Sequence, residues 1–424
     1  MGGVGVAVVS FIQGIIITRT LGPSLYGVLG VVMTFCGMIK AFLSFRTSEP
    51  LTRYLVEYKH KNELSSLEQL LGTAILVDFA TSLLAFTAIV AAAPLAAKFI
   101  SGGEESILIY WIYGATVLGT FLDATWYSVA RDLKYFKLLA VLPVIFAILQ
   151  LLGVILLWQI NLLNLVWLVA LYLLIRFGRF MVNSVFLIWK LHTVYKISIL
   201  KINWRQCVTK RSDLSGFWTF MNITYLSSMV TTLVKNGDIL ILGYYRTDAE
   251  VGLYRLAKNL VTMIQSVGGS LASVIYQDIN ELIVSKRYAN IKTGLIKLSK
   301  VWIPAILVGL VLAIISAKMI ITWVYGNDFA DASIPFSLLM VGVSVAMSLF
   351  WVQPMVLALN KLKENLLLAI AVGMLFIFSS LFVTPIYGSA GMAILLASAW
   401  AVGYLGLLWI CLKEMRMVGG TIEK

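Results

Sequence analysis

"LLAVLPVIFAILQLLGVILLW", residues 138–158, carries no charge over its whole length. At about 1.5 Å per residue a helix of that length reaches roughly 30 Å, the thickness of the hydrocarbon core of a bilayer. A helix on the surface of a soluble domain needs one apolar stripe, but this one is apolar all round except for Gln150. Lipid is the solvent that suits it. Upstream stands the basic turn "ARDLKYFK" (130–137), and downstream a second apolar run extends to residue 189. Reading outward in both directions places apolar stretches at about 1–18, 27–45, 68–92, 106–130, 138–158, 162–189, 215–243, 250–276, 299–322, 334–358, 365–384 and 389–412. Only helices let uniformly apolar backbone satisfy its own hydrogen bonds within lipid. The expected fold is therefore all-α and integral to the membrane, with twelve transmembrane helices.

Composition agrees. The chain is 60% hydrophobic and 12% charged, half the charged fraction of about 25% usual in a soluble domain. Mean hydropathy is +0.92. No soluble fold of this length hides so much apolar surface. Met1–Thr18 is apolar with no basic stretch ahead of it, which reads as a first spanning helix and not a cleaved signal peptide. Cys36, Cys207 and Cys411 are far apart and form no paired motif, so they read as small inert hydrophobes. His60 and His192, both in polar connections, make no metal site.

The net charge of +13 would suggest nucleic acid in a soluble protein. Its distribution gives another reason. Of the 33 Lys and Arg residues, 23 fall in the turns on one side, among them Arg46, Arg53, Lys59 and Lys61, Arg131, Lys134 and Lys137, and the run from Lys190 to Arg211. The opposite turns hold only Arg19, Lys98, Arg246 and Lys318. The positive-inside rule puts both termini in the cytoplasm, and the plasma (inner) membrane is the expected location. The longest connection, 191–214, is basic and reads as a linker lying against anionic lipid headgroups.

That linker divides an internal repeat. "LAAKFI" (95–100) matches "ISAKMI" (315–320), the basic turn 130–137 matches "ALNKLKEN" (358–365), and Tyr26-Gly27 finds a counterpart in Val251-Gly252. The nearly constant offset predicts an N-terminal lobe over 1–190, the linker 191–214 and a C-terminal lobe over 215–424. Six helices per lobe give both the same orientation, related by a pseudo-two-fold axis along the membrane normal around a central cavity.

Six cations remain inside the predicted helices, Lys40, Arg176, Arg179, Lys235, Arg255 and Lys258, against three acids, Asp78, Asp123 and Asp238. A charge at bilayer depth costs at least about 2.5–3.5 kcal/mol, so each needs a partner or a task. Arg176 and Arg179 share a helix face at i,i+3, and two readings stand. Either their guanidinium forks meet an anionic substrate, or they balance Asp78 and Asp123. Arg255 and Lys258 repeat the spacing nearer the outer surface. Lys235 and Asp238 are close enough to neutralise one another, and Lys40 suits either an interfacial or a cavity position. Asp78 and Asp123 are equally readable as ion-coupling sites or as counter-charges. Pro354, beside Trp351 and Gln353, predicts a kink in the tenth helix. Trp126 and Tyr127, Trp323 and Tyr325, and Tyr244 and Tyr245 read as the interfacial aromatic belt. No phosphate loop, zinc-protease motif or nucleophile elbow occurs, so neither a cofactor nor catalysis is expected.

"TRTLGPSLYGVLGVV" (18–32), "FRTSEPLTRYLVEYK" (45–59), "NGDILILGYYRTDAEVGLYRLAKNLV" (236–261) and "VYGNDFADASIPFSLLMV" (324–341) resemble signatures of the polysaccharide transporters. That family (Wzx-type flippases) belongs to the multidrug/oligosaccharidyl-lipid/polysaccharide exporter superfamily. The resemblance implies a V-shaped pair of six-helix lobes. It also implies outward movement of a lipid-linked oligosaccharide, with Lys40 and Arg255 among cavity cations that engage its pyrophosphate. Membrane lipids, a polysaccharide polymerase partner and a monomeric unit belong to the same expectation. Relatives carry a basic stretch before the first helix, and its lack ahead of Met1 points to a shortened start. Two other readings stay open: a cation-coupled multidrug exporter, with Asp78 and Asp123 as coupling carboxylates, and a membrane-embedded polymerase or glycosyltransferase. The latter calls for a sizeable outer loop that this sequence does not carry.

Overall fold

The computed structural model describes residues 2–45, 47–61, 63–101, 103–197, 215–285 and 288–422. Most of the predicted linker 191–214 lies outside them, as do Cys207 and the cations Arg46, Lys201, Arg205, Lys210, Arg211, Lys286, Arg287 and Lys424. Among the described residues the chain is helical throughout, with no strand. In order, the helices are α1 (Gly2–Leu43), α2 (Ser48–His60), α3 (Leu64–Phe99), α4 (Ile107–Ala115), α5 (Asp123–Asp132), α6 (Phe136–Gln159) and α7 (Leu165–Thr193). They are followed by α8 (Ser215–Tyr245), α9 (Asp248–Val284), α10 (Tyr288–Tyr325), α11 (Ser333–Ser348), α12 (Val352–Ala358) and α13 (Leu362–Ile422).

Among the described residues, eight helical stretches are long and apolar enough to cross a membrane. The outward faces fit lipid. Along α10, Val301, Val308, Leu312, Ile315, Met319 and Trp323 recur at helical spacing, and Ile315 and Trp323 are 76% and 81% exposed. Water would not tolerate so long an apolar stripe. The chain is an integral membrane protein.

Two helices are interrupted. α1 leaves helical geometry at Gly22 (φ 72°), beside Pro23, and α13 does so at Gly388 (φ 55°), three residues after Pro385. A residue with a side chain is strained at such angles. Two further interruptions differ from the sequence reading. The stretch expected as one helix over 106–130 is α4, a 3₁₀ turn at Leu118–Thr120, and α5. The stretch expected over 334–358 breaks at residues 349–351, and Pro354 sits in the first turn of α12, where its missing N–H costs nothing. The break falls in the turn before the proline, where its ring and missing N–H disfavour a continuing helix, so the expected interruption is present as a full break and not as a kink. Helix α2, polar on one side, was not anticipated. Ser128 joins it to α5 by donating to the Ser48 carbonyl at 3.1 Å and accepting from Thr52 at 3.1 Å. Lys59 and Tyr195 both donate to Asp132. Burial and that carboxylate push the Tyr195 phenol well above its ordinary range, so it stays a donor.

The chain divides into two compact units, one of residues 1–21 and 28–236, the other of 22–27 and 237–424. The core of the first gathers Leu51 and Leu55 of α2, Leu70 and Leu71 of α3, Leu187 of α7, and Phe217 of α8. The core of the second is built around Phe350, Trp351, Met355 and Cys411.

Candidate functional site

In the first unit the break between α4 and α5 has a direct consequence. It makes Asp123 the first residue of α5, turned toward α7, where Arg176 lies 17 residues before the helix end at Thr193. The Arg176 guanidinium donates to the Asp123 carboxylate, which also accepts from Asn183 Nδ2 at 3.3 Å. One turn further along α7, Arg179 lines a cavity of about 320 Å³ together with Lys40 of α1, Asp78 of α3 and Asp123. Phe45, Phe121 and Trp126 form its apolar wall. Asp78 is 7% exposed, and both of its carboxylate oxygens lie 2.8 Å from the Thr47 hydroxyl that donates to them.

The five charges read from sequence as Lys40, Asp78, Asp123, Arg176 and Arg179 thus converge from four helices. Arg176 takes Asp123 as its counter-charge. Asp78 takes a hydroxyl and, among the described residues, no arginine. Lys40 and Arg179 form no ion pair among the described residues, although Lys40 lies within electrostatic reach of Arg176, Asp123 and Asp78. Four buried donors at or beside the cavity lack a hydrogen-bond partner among the described residues: Ser44 Oγ, Trp126 Nε1, Arg176 Nε and Arg179 Nε. Buried donors are almost always paired, so a cluster of unpaired ones marks a place where an acceptor is wanted. Trp126 corrects the aromatic-belt reading. It is 3% exposed and lines this cavity.

The second unit treats its charges differently. Lys258 Nζ lies 2.8 Å from both oxygens of Asp238, which is wholly buried and also accepts from Tyr254 at 2.6 Å. Asp238 is thus neutralised by Lys258, twenty residues on, and not by its i,i+3 neighbour Lys235, which is exposed. Arg255 donates to the Tyr26 carbonyl at 3.0 Å and lies 4.6 Å from the centre of the Tyr26 ring, whose hydroxyl accepts from Asn259. Tyr26 and Arg255 lie beside the mutual crossing of Gly27 and Gly252. A methyl group on either glycine would come within about 2 Å of the Asp248 or Pro23 carbonyl. At the turn between α8 and α9, Arg246 donates to the carbonyls of Thr384, Pro385 and Ile386, and Glu250 accepts from the Ser389 N–H at 2.6 Å, clamping both sides of the Gly388 break. Thr47, Asn183 and Trp126 are the site residues that sequence reasoning missed. Asn183 and Trp126 lie in apolar runs outside any quoted motif, and Thr47, though inside the stretch 45–59 that carries the family resemblance, has no feature of its own to mark it.

Residues 1–276 match a family described as polysaccharide biosynthesis protein. The chain belongs to that family. Among solved structures it is similar to a lipid II flippase, MurJ, in an inward closed conformation (15% identity, TM-score 0.73, covering 98% of this chain and 88% of that one). It is also similar to an inward-facing multidrug resistance MATE family transporter of the MOP superfamily (15% identity, TM-score 0.73, covering 98% and 96%). A MOP superfamily transporter from Pyrococcus furiosus, described as having a binding pocket of reverse polarity, aligns at 15% identity and TM-score 0.59 over 99% and 94%. No curated protein sequence matches. At these identities the structural likeness establishes the fold, that of MOP superfamily transporters.

Proposed function

We propose that this member of the family is a flippase. It moves an isoprenoid-pyrophosphate-linked oligosaccharide from the cytoplasmic to the outer leaflet by alternating access, for cell-surface polysaccharide biosynthesis, and changes no covalent bond. The observation that carries this reading is the cavity of the first unit. Its lining holds two cations, Lys40 and Arg179, neither of them in an ion pair among the described residues, and two acids, of which Asp123 is already matched by Arg176 beside the cavity; unpartnered donors surround them. In a low-dielectric surround such a site attracts a phosphate anion strongly.

Twelve crossings in two six-helix lobes, 1–190 and 215–424, complete the proposal. The stretches Gly5–Leu43 and Lys363–Glu414 are 39 and 52 residues long, each more than one bilayer thickness and each interrupted by a glycine. Helices α8 and α9 are 31 and 37 residues long and supply two more crossings despite their polar residues. Positive-inside counting puts both termini in the cytoplasm of the inner membrane and Lys40, Ser44 and Thr47 near the cytoplasmic face, so cargo loads from that side. Lys235, exposed on α8, and Arg255 belong to the path taken after loading.

The test replaces Lys40 and Arg179 by Gln and measures how lipid-linked repeat units divide between the two membrane faces. Accumulation on the cytoplasmic face is expected. Normal outward delivery by the double variant refutes the reading.

One observation favours a second reading. Asp78 is buried, and among the described residues its carboxylate accepts from the Thr47 hydroxyl alone, as a cation- or proton-coupling carboxylate in a multidrug exporter would. Unchanged drug resistance in Asp78→Asn removes it.

A further inference from the structure

We infer that Asp123 is a built-in stand-in for the cargo phosphate, holding Arg176 in the empty transporter and giving it up when an isoprenoid pyrophosphate enters. This rests on the anionic-cargo reading above and adds to it the means by which the site is kept closed to other anions.

Position comes first. Asp123 opens α5, a helix of ten residues, so its carboxylate occupies the end where free N–H groups and the positive pole of the helix favour an anion. The α4–α5 break, and not the order of residues along one continuous helix, puts it there. Next comes the grip. The carboxylate holds Arg176 through one guanidinium nitrogen while Arg176 Nε stays unpartnered, so the fork is only partly used. A phosphate offers oxygens to the whole fork and to Arg179 one turn away. The third observation is access. The side chains of Asp123 and Arg176 are 34% and 21% exposed, whereas the Asp238–Lys258 pair is closed at 0% and 10%. The first pair is open to exchange, and the second is not. The fourth is Trp126, only 3% exposed, whose Nε1 has no partner among the described residues at the same cavity.

The exchange has a physical advantage. Arg176 is never left uncompensated at membrane depth, so the empty site does not bear the full cost of a bare charge. An anion with a single weak oxygen gains little by displacing a carboxylate, but a pyrophosphate, which can reach two arginines and Lys40 together, gains a great deal. Asp123 is therefore a positioning and selectivity residue and makes no lasting contact with the cargo.

The experiment measures binding of farnesyl pyrophosphate, with inorganic pyrophosphate and farnesol as comparisons, to the full chain in lipid nanodiscs. Asp123→Asn is expected to bind farnesyl pyrophosphate about tenfold more tightly, equivalent to ~1.4 kcal/mol, and to discriminate less well against inorganic pyrophosphate. Its outward transport slows because release is impaired, which separates it from a variant that is merely unstable. Arg176→Gln binds at least tenfold more weakly, and the double variant binds like Arg176→Gln alone. Weaker binding in Asp123→Asn, with wild-type binding intact, overturns the stand-in role and leaves the cargo reading standing. If farnesyl pyrophosphate binds neither the wild type nor Asp123→Asn, both fail. Should Asp123→Asn fold poorly, Asn183→Ala, which removes the other hydrogen bond to the same carboxylate, is expected to shift affinity in the same direction to a smaller degree, and no shift counts against the proposal.

Discussion

Replacing Lys258 with Met distinguishes a structural ion pair from a cargo contact. Asp238 is wholly buried, and three groups donate to its carboxylate: Lys258 Nζ at 2.8 Å from each oxygen, Tyr254 Oη at 2.6 Å and the Ile239 N–H at 2.9 Å. Deleting the ammonium leaves a buried carboxylate with two neutral donors. Breaking one side of a buried ion pair typically costs about 3–5 kcal/mol. At roughly 2 °C per kcal/mol, the smaller slope appropriate to a long chain, the melting midpoint falls by about 6–10 °C. The companion variant carries Asp238→Leu, Tyr254→Phe and Lys258→Met together, which removes the charge and every side-chain group that served it. It is expected to recover most of the loss, because apolar replacement of a whole buried network is often close to neutral. The assay is thermal unfolding in detergent followed by tryptophan fluorescence and size exclusion, with outward delivery of lipid-linked cargo measured alongside. A Lys258→Met protein that melts like wild type yet fails to deliver cargo refutes the reasoning and returns Lys258 to the cargo path.

Gly252→Ala is expected to lower the melting midpoint sharply or abolish expression. Its methyl group would meet the Pro23 carbonyl oxygen at 2.0 Å, a backbone atom that cannot swing aside as a side chain does. Thermal unfolding of the purified variant checks this. Arg246→Ala removes a donor from the Thr384, Pro385 and Ile386 carbonyls and should cost about 1.5–3 kcal/mol, the range for hydrogen bonds to charged groups, with faster amide exchange on both sides of Gly388. Trp126→Phe keeps the apolar wall of the cavity but deletes the unpartnered Nε1. Stability should be unchanged or slightly raised, while affinity for farnesyl pyrophosphate drops several-fold in the binding assay.

What the sequence made legible follows from what hydropathy measures. Residues 138–158 are uniformly apolar, and the structure returns a single helix, Phe136–Gln159, over them. Residues 116–122, "TVLGTFL", are nearly as apolar, yet there the chain leaves the α-helix for a 3₁₀ turn. An average over side chains records the solvent they need and is silent on whether the backbone inside that solvent is continuous. The same limit hid the break at 349–351. Pro354 marked the right region, but a proline in the sequence does not tell a kink from a full break with a new helix starting beside it. The short α2 was missed because Ser48–His60 is too polar to stand out from a loop, although its Leu51 and Leu55 are completely buried.

The charges followed a related rule. Which ionisable residues lie at membrane depth was readable one residue at a time, but which of them meet is a property of helix packing. Arg176 and Asp123 are 53 positions apart, and Asp78 is served by Thr47, 31 positions earlier in a segment that reads as a loop. The i,i+3 pairing expected for Lys235 and Asp238 failed because a partner on the next helix, Lys258, reaches both carboxylate oxygens from within the core. Local spacing is a good guide to charge pairing on an isolated helix in water, where nothing else competes. Inside a bundle the competing partners come from neighbouring helices, and desolvation favours the one already buried. The surplus of cations therefore outlasts the structure as a clue to an anionic cargo, but its location changes. It is concentrated in the first unit at Lys40 and Arg179, while Lys258 is spent on holding Asp238.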